Sequence, residues 1–175
     1  MRIGQGWDIH RLVDGRPLRL CGIDVPSERG LLGHSDGDVV LHAVTDALLG
    51  ALAAGDIGQH FPDTDPRYRG IDSALLLAEV VKMAAARLYQ VGNVDVTILA
   101  ERPQLAAHVG AMRKRLATVL GVAAERVGIK AKTMEGLGAI GAGDAIGALA
   151  VAMLVPRARH AKRRPRPAPA RARKR

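Results

Sequence analysis

The chain has 175 residues, enough for one domain, and its core must be aliphatic because Trp7, Phe61, Tyr68 and Tyr89 are the only aromatic residues. The formal charge of +9 matches a nucleic-acid binder, yet ten Arg/Lys and no acid lie in residues 157–175, leaving 16 basic against 17 acidic side chains in residues 1–156. The near-neutral body therefore gives no electrostatic reason to bind nucleic acid, and any polyanion binding belongs to the basic end. A single cysteine, Cys21, excludes an internal disulfide and fits a reducing compartment. The opening residues carry no apolar signal segment, and the apolar run 145–155 is too short to cross a bilayer. The expectation is a cytoplasmic protein with no membrane partner.

Residues 18–23 alternate roughly and predict one short strand, punctuated afterwards by Pro26 and Gly30. From Asp38 onward Val39, Val40, Ala43, Ala47, Leu48 and Ala51 recur near helical spacing, with no proline before Pro62. Asp36 or Asp38 is available as its N-cap. Residues 56–70 are dense in turn formers and predict a polar loop. A second helix is predicted over 73–89, a strand over 94–99, a third helix over 104–120 and a strand over 127–132. The run 145–155 is apolar throughout and reads as a buried strand or helix, with a strand preferred. This order predicts an α/β (α+β) sandwich, a mixed β-sheet with helices packed on one face. One domain is placed at 1–156, and the Pro/Arg/Ala-rich tail 157–175 is expected to be disordered because it cannot bury a core.

Asp8 and His10 are two residues apart, which in an extended segment puts both side chains on one face. His42 lies one turn into the first predicted helix, between Asp38 and Asp46 at i−4 and i+4, either of which can accept its second ring N–H. Two imidazoles and one carboxylate form a ligand set suited to zinc, and three protein ligands leave the open position of a catalytic site. Singly, each histidine is more commonly an ordinary half-buried side chain; together with Asp8 they favour a metal. The turn His34-Ser35-Asp36-Gly37-Asp38 precedes a helix N-terminus, where backbone N–H groups suit a phosphate or simply cap the helix. Lys132-Thr133-Met134-Glu135 joins a cation, a hydroxyl and a carboxylate at a strand end, a combination fitting a phosphate beside magnesium.

The blocks Gly4-Gln5-Gly6-Trp7-Asp8-Ile9-His10, Gly33-His34-Ser35-Asp36-Gly37-Asp38, Leu41-His42-Ala43, Thr45-Asp46-Ala47-Leu48, Gly55-Asp56-Ile57-Gly58, Phe61-Pro62-Asp63-Thr64-Asp65-Pro66 and Asn93-Val94-Asp95 occur in this order. From Arg2 to about Val155 the chain resembles the 2-C-methyl-D-erythritol 2,4-cyclodiphosphate synthase family of the non-mevalonate isoprenoid pathway, with Trp7 where that family usually has another aromatic.

The resemblance implies a homotrimer with active sites between subunits. The implied reaction is metal-dependent cyclisation of 4-diphosphocytidyl-2-C-methyl-D-erythritol 2-phosphate with release of CMP, a phosphorus–oxygen lyase activity. It assigns Asp8, His10 and His42 to Zn²⁺ and Glu135 to a Mg²⁺ or Mn²⁺ ion on the diphosphate. His34 and Thr133 fall at positions that stabilise the transition state. Asp8, His10, His34, Ser35, Asp56, Ile57, Gly58, Phe61, Pro62, Asp63, Thr64 and Asp65 fall at positions surrounding the methylerythritol phosphate and diphosphate. The cytidine pocket corresponds to residues 100–106 and 131–135, including Ala100, Ala106, Ala131, Lys132, Thr133, Met134 and Glu135. One block departs: Ala139 and Ala142 stand where the family commonly has an aromatic and an arginine lining a trimer-axis cavity for isoprenoid diphosphates. No diphosphate clamp is expected there.

Two other readings share part of this pattern. A different zinc-dependent phosphoester enzyme would use the same metal site without releasing CMP. A polyanion-binding protein would act through residues 157–175, weakly and with strong salt dependence.

Overall fold

The computed structural model describes residues 1–157, so the predicted tail lies outside the described residues apart from Arg157. The strands are β1 (Arg2–Asp14), β2 (Leu18–Leu20), β3 (Ile23–Val25), β4 (Arg29–Leu31), β5 (Tyr89–Leu99), β6 (Val127–Lys132) and β7 (Ala145–Pro156). The helices are α1 (Val39–Ala51), α2 (Ile57–His60), α3 (Ser73–Ala86), α4 (Val109–Leu120) and α5 (Gly138–Gly141). Five strands form one mixed sheet in the order β4-β1-β7-β5-β6, in which only the β5/β6 pair is parallel. β2 and β3 form a separate hairpin.

Burial alternates along the central strands, as a sheet covered on one face requires. Ile146, Ala148, Ala150, Ala152 and Leu154 of β7, with Val94, Val96 and Ile98 of β5, are buried in the same core as the apolar sides of α1, α3 and α4. On the opposite face Ile3, Trp7, Ile9, Leu149 and Val151 are exposed, and no element among the described residues covers them. Among the described residues, no helix is long and apolar enough to cross a membrane.

α1 lies directly on β1 because β1 presents glycine there. A Cβ on Gly4 would sit 2.0 Å from the carbonyl oxygen of Ala47, and one on Gly6 2.0 Å from that of Ala43. The inward residues of β7 beneath α1 are small as well, in the run Ala148, Ala150, Ala152. This close seat sets the height of His42 above the sheet.

Several boundaries differ from the sequence expectation. The segment 18–23 is two strands around a tight turn, not one. The fully buried Asp38 carboxylate accepts the backbone N–H groups of Cys21 (3.0 Å) and Gly22 (2.6 Å), while capping α1 at Val40 (3.1 Å) and Leu41 (3.0 Å). Cys21 takes a left-handed φ of 56° to make that turn. The second helix stops at Ala86, since Leu88 has φ 63° and Tyr89 already pairs with Pro156 in the sheet. The third begins at Val109 rather than 104, because 104–108 is a turn closed by Leu105 accepting from His108 and Val109. Within the predicted polar loop, Asp56 caps the one-turn α2 and Asp65 caps a 3₁₀ turn over Pro66–Tyr68. The strand over 127–132 and the strand reading of 145–155 agree with the structure.

Candidate active site

Asp8 and His10 are inward-facing residues of β1, and α1 brings His42 down onto them. Asp8 Oδ2 lies 2.9 Å from His10 Nε2 and 3.0 Å from His42 Nδ1, and the two ring nitrogens are 3.3 Å apart. Ligand atoms held by a tetrahedral zinc ion are about 3.3 Å apart, so a small outward adjustment would admit the ion. The three donor atoms converge on one point with two borderline nitrogens and a hard oxygen, which fits a divalent metal. Burial opposes ionisation of Asp8, but hydrogen bonds with His10 and His42 and their positive charge outweigh it and hold the carboxyl well below the usual carboxylate range. Burial likewise opposes charging of His10; the hydrogen bond and charge of Asp8 prevail and raise that imidazole above its ordinary value.

The far ring nitrogen of His42 does not meet Asp38 or Asp46. Asp38 is committed to the cap, and Asp46 accepts the Ile57 N–H at 2.7 Å, tying α2 to α1. Instead His42 Nε2 lies 3.0 Å from Ser35 Oγ and 3.0 Å from Ser73 Oγ. Ser73 is the functional candidate that sequence reasoning missed. It opens α3, 31 residues from His42, and a serine after an aspartate at a helix start signals nothing more than capping.

The triad opens into a cleft of about 420 Å³ lined by His34, Ser35, Ile57, Gly58, Phe61, Pro62 and Asp63, together with Tyr68 and Leu76. Asp56, Thr64 and Asp65 do not line it. Asp56 is spent on Gln59, and Asp65 accepts from Arg67, whose hydrogen bonds hold its carboxyl below the usual range. The loop before α1 also has fewer free donors than its sequence promises. The N–H groups of Asp36, Gly37 and Asp38 are paired with Ile71 O, Ser35 Oγ and Asp36 Oδ1, and those of Val40 and Leu41 with Asp38. A phosphate here must meet side chains rather than that run of backbone. Arg16 braces the loop by donating to the carbonyls of Gly33 (3.2 Å) and Ser35 (3.1 Å).

The second group of residues forms a different cavity of about 460 Å³, lined by Ala100, Glu101, Pro103, Gln104, Leu105, Ala106, Val109, Ala131, Lys132 and Thr133. Glu101 accepts the Met134 N–H at 3.2 Å, which ties the 131–135 segment to the wall of this pocket, and Thr133 donates to Glu135 at 2.6 Å. The two cavities share no residue. Asp8, Ala148, Ile98 and Ala131 occupy one cross-strand row, which puts Asp8 and Ala131 three strand spacings, about 14 Å, apart. Ala148 and Ile98, fully buried in the core, lie between them. Within one chain Thr133 and Glu135 are not brought to the triad.

The sequence model of the YgbB family matches residues 1–155. The chain belongs to the YgbB family. It is 56% identical over 156 residues to the 2-C-methyl-D-erythritol 2,4-cyclodiphosphate synthase of Trichlorobacter lovleyi, covering 89% of this chain and 99% of that one. A solved structure of a synthase of the same name in a CDP-bound form superposes with TM-score 0.82 at 44% identity, over 88% of this chain and all of that one. The CDP complex from Plasmodium falciparum matches with TM-score 0.78 at 34% identity, covering 89% of this chain and 96% of that one. The match spans nearly the whole of each of these three relatives.

Proposed function

We propose that this chain is a 2-C-methyl-D-erythritol 2,4-cyclodiphosphate synthase, closing the ring of 4-diphosphocytidyl-2-C-methyl-D-erythritol 2-phosphate and releasing CMP. The observation that carries this reading is the convergence of Asp8, His10 and His42 on one point at the base of the cleft, in a chain of this family. An oxygen of the substrate's 2-phosphate attacks the β-phosphorus. The bond from that phosphorus to the bridging oxygen breaks, and its electron pair leaves with CMP. No protein nucleophile is required, so catalysis rests on positioning and charge stabilisation. Atoms are only redistributed between two products, which makes the activity that of a phosphorus–oxygen lyase.

A zinc ion on Asp8, His10 and His42 would supply Lewis-acid polarisation of the β-phosphate at its open position. A Mg²⁺ or Mn²⁺ ion on the diphosphate would be addressed by the Glu135 carboxylate. His34 and Ser35 face the cleft and would hydrogen-bond the sugar phosphate end, with Ile57, Gly58, Phe61, Pro62 and Asp63 shaping its wall. Asp56 and Asp65 would act indirectly, through the turns they cap, and Thr64 through the turn that the Asp65 N–H closes on the Pro62 carbonyl. Ala100, Ala106, Ala131, Lys132 and Met134 would form the cytidine pocket, with Thr133 directed at the diphosphate.

A homotrimer is the assembly that reconciles the two cavities. The buried core between Asp8 and Ala131 keeps them apart in one chain, whereas a neighbouring subunit could bring its 131–135 segment to the triad. The uncovered apolar sheet face around Trp7 and Leu149 is a surface that wants a partner. Residues 1–156 would constitute the catalytic domain, and 157–175 an accessory basic tail with at most weak polyanion binding. The test is product identity by phosphorus NMR after incubation with the cytidylyl substrate. CMP and a cyclic diphosphate are expected; inorganic phosphate without CMP would favour a phosphatase on the same scaffold.

A further inference from the structure

We propose that Ser73, held by Asp36, is a positioning residue that fixes His42 in the tautomer carrying its proton on Nε2 and so presents Nδ1 to the metal. The inference rests on reading Asp8, His10 and His42 as a metal site.

His42 Nδ1 faces Asp8 and His10, and Nε2 faces two serine hydroxyls, so the ring proton decides whether the metal-facing nitrogen has a lone pair to give. The hydroxyl of Ser73 settles the matter through its other partner. Ser73 Oγ donates a short hydrogen bond to Asp36 Oδ1, and a carboxylate only accepts. Ser73 has one hydroxyl proton, and Asp36 takes it. Asp36 is itself anchored: its Oδ2 accepts the Ser73 N–H at 3.2 Å and lies 3.8 Å from the Arg19 guanidinium.

Toward His42, Ser73 Oγ therefore shows only lone pairs, and a proton on Nε2 satisfies one of them. The second is within reach of the Ser35 hydroxyl at 3.1 Å, and Ser35 Oγ in turn accepts the Gly37 N–H at 3.3 Å. Every polar hydrogen in this buried group has an acceptor. Without a metal, Asp8 Oδ2 can accept a proton on Nδ1 at 3.0 Å; a metal on Nδ1 displaces that proton, and the proton on Nε2 then needs the acceptor that Ser73 offers. Ser73 is fully buried, so water has no room to take over the acceptor role. Without Ser73, Nε2 keeps only Ser35, whose proton is free to point either way, and the tautomer is no longer dictated.

Zinc affinity measured by competition with a chromophoric chelator, on folded protein, tests the relay. Ser73→Ala is expected to bind zinc about 10–100-fold more weakly, and Asp36→Asn, which keeps side-chain size and Ser73, should weaken it in the same direction. In zinc-loaded wild-type protein, NMR of the His42 Nε2–H should show a slowly exchanging proton hydrogen-bonded to Ser73, and Ser73→Ala should lose that protection. An unprotected Nε2–H in the loaded wild type would overturn the proposal without any variant. So would Asp36→Asn and a folded Ser73→Ala binding zinc within about twofold of wild type. His42→Ala separates the two ideas: if it binds zinc as tightly as wild type, the metal-site reading itself fails.

Discussion

Asp8 Oδ2 and His42 Nδ1 stand 3.0 Å apart although 34 residues separate them in the chain. The contact exists because β1 offers no side chain at Gly4 and Gly6, which lets α1 descend until its first turn meets the strand. The convergence of these donor groups is a consequence of helix-on-sheet packing.

His42→Ala is expected to lose bound zinc and cyclisation together while keeping the fold, since the ring lies outside the large aliphatic core. Metal content of the purified variant, measured beside its circular dichroism, checks this. Full turnover by a demonstrably zinc-free variant would remove His42 from the ligand set.

Gly6→Ala should destabilise the protein by about 1–3 kcal/mol and also weaken zinc binding, because the new methyl collides with the Ala43 carbonyl and lifts α1 from the triad. Thermal melting together with chelator competition reads both effects. A variant that lost stability but kept wild-type zinc affinity would show that the triad tolerates a displaced α1.

How much of this was legible in the sequence depended on whether the cause was local. Asp38 at the α1 start and the strand Val127–Lys132 were readable, because a cap and an apolar alternation are written in adjacent residues. The 18–23 segment was misread as one strand because its turn is set by Asp38, 16 residues away from Gly22. The second helix was overextended because Arg87, Leu88 and Tyr89 continue a helix-compatible pattern, while the chain is diverted by pairing with β7. The three residues that converge were visible as Asp8, His10 and His42. Their orienting partner was not: Asp38 and Asp46 had the right spacing on the helix, but both carboxylates are spent on backbone N–H groups, and Ser73 arrives from another helix.

The pKa shifts set opposite pH trends with and without metal. In metal-free protein, the depressed Asp8 carboxyl stabilises the fold above its unfolded value near 3.8 and loses that contribution as pH falls. The raised His10 pKa stabilises below 6.5 and is lost as pH rises through the elevated native value. Zinc needs neutral imidazole, so the melting-temperature gain on adding zinc should widen as pH rises through that same window. Melting scans at several pH values check this; a gain that is constant with pH would contradict it.

Glu135→Gln should blunt the response of turnover to added Mg²⁺ or Mn²⁺ while leaving zinc content unchanged, because Glu135 lies outside the triad cleft. A metal titration superimposable on wild type would remove Glu135 from that role.

If each site takes its triad from one subunit and its 131–135 segment from the next, His42→Ala and Thr133→Ala should complement each other. Random co-assembly of two inactive variants into trimers would regenerate about one quarter of the sites. Co-expressed variants without recovered turnover would place both groups in the same chain's site.

The most direct measurement is CMP release by metal-stripped protein as zinc is added back to the cytidylyl substrate with Mg²⁺ present. No CMP is expected without zinc, then a rise that saturates at one zinc per chain, with the cyclic diphosphate formed in equal amount to CMP. Undiminished CMP release from zinc-free protein would rule out a catalytic zinc at Asp8, His10 and His42.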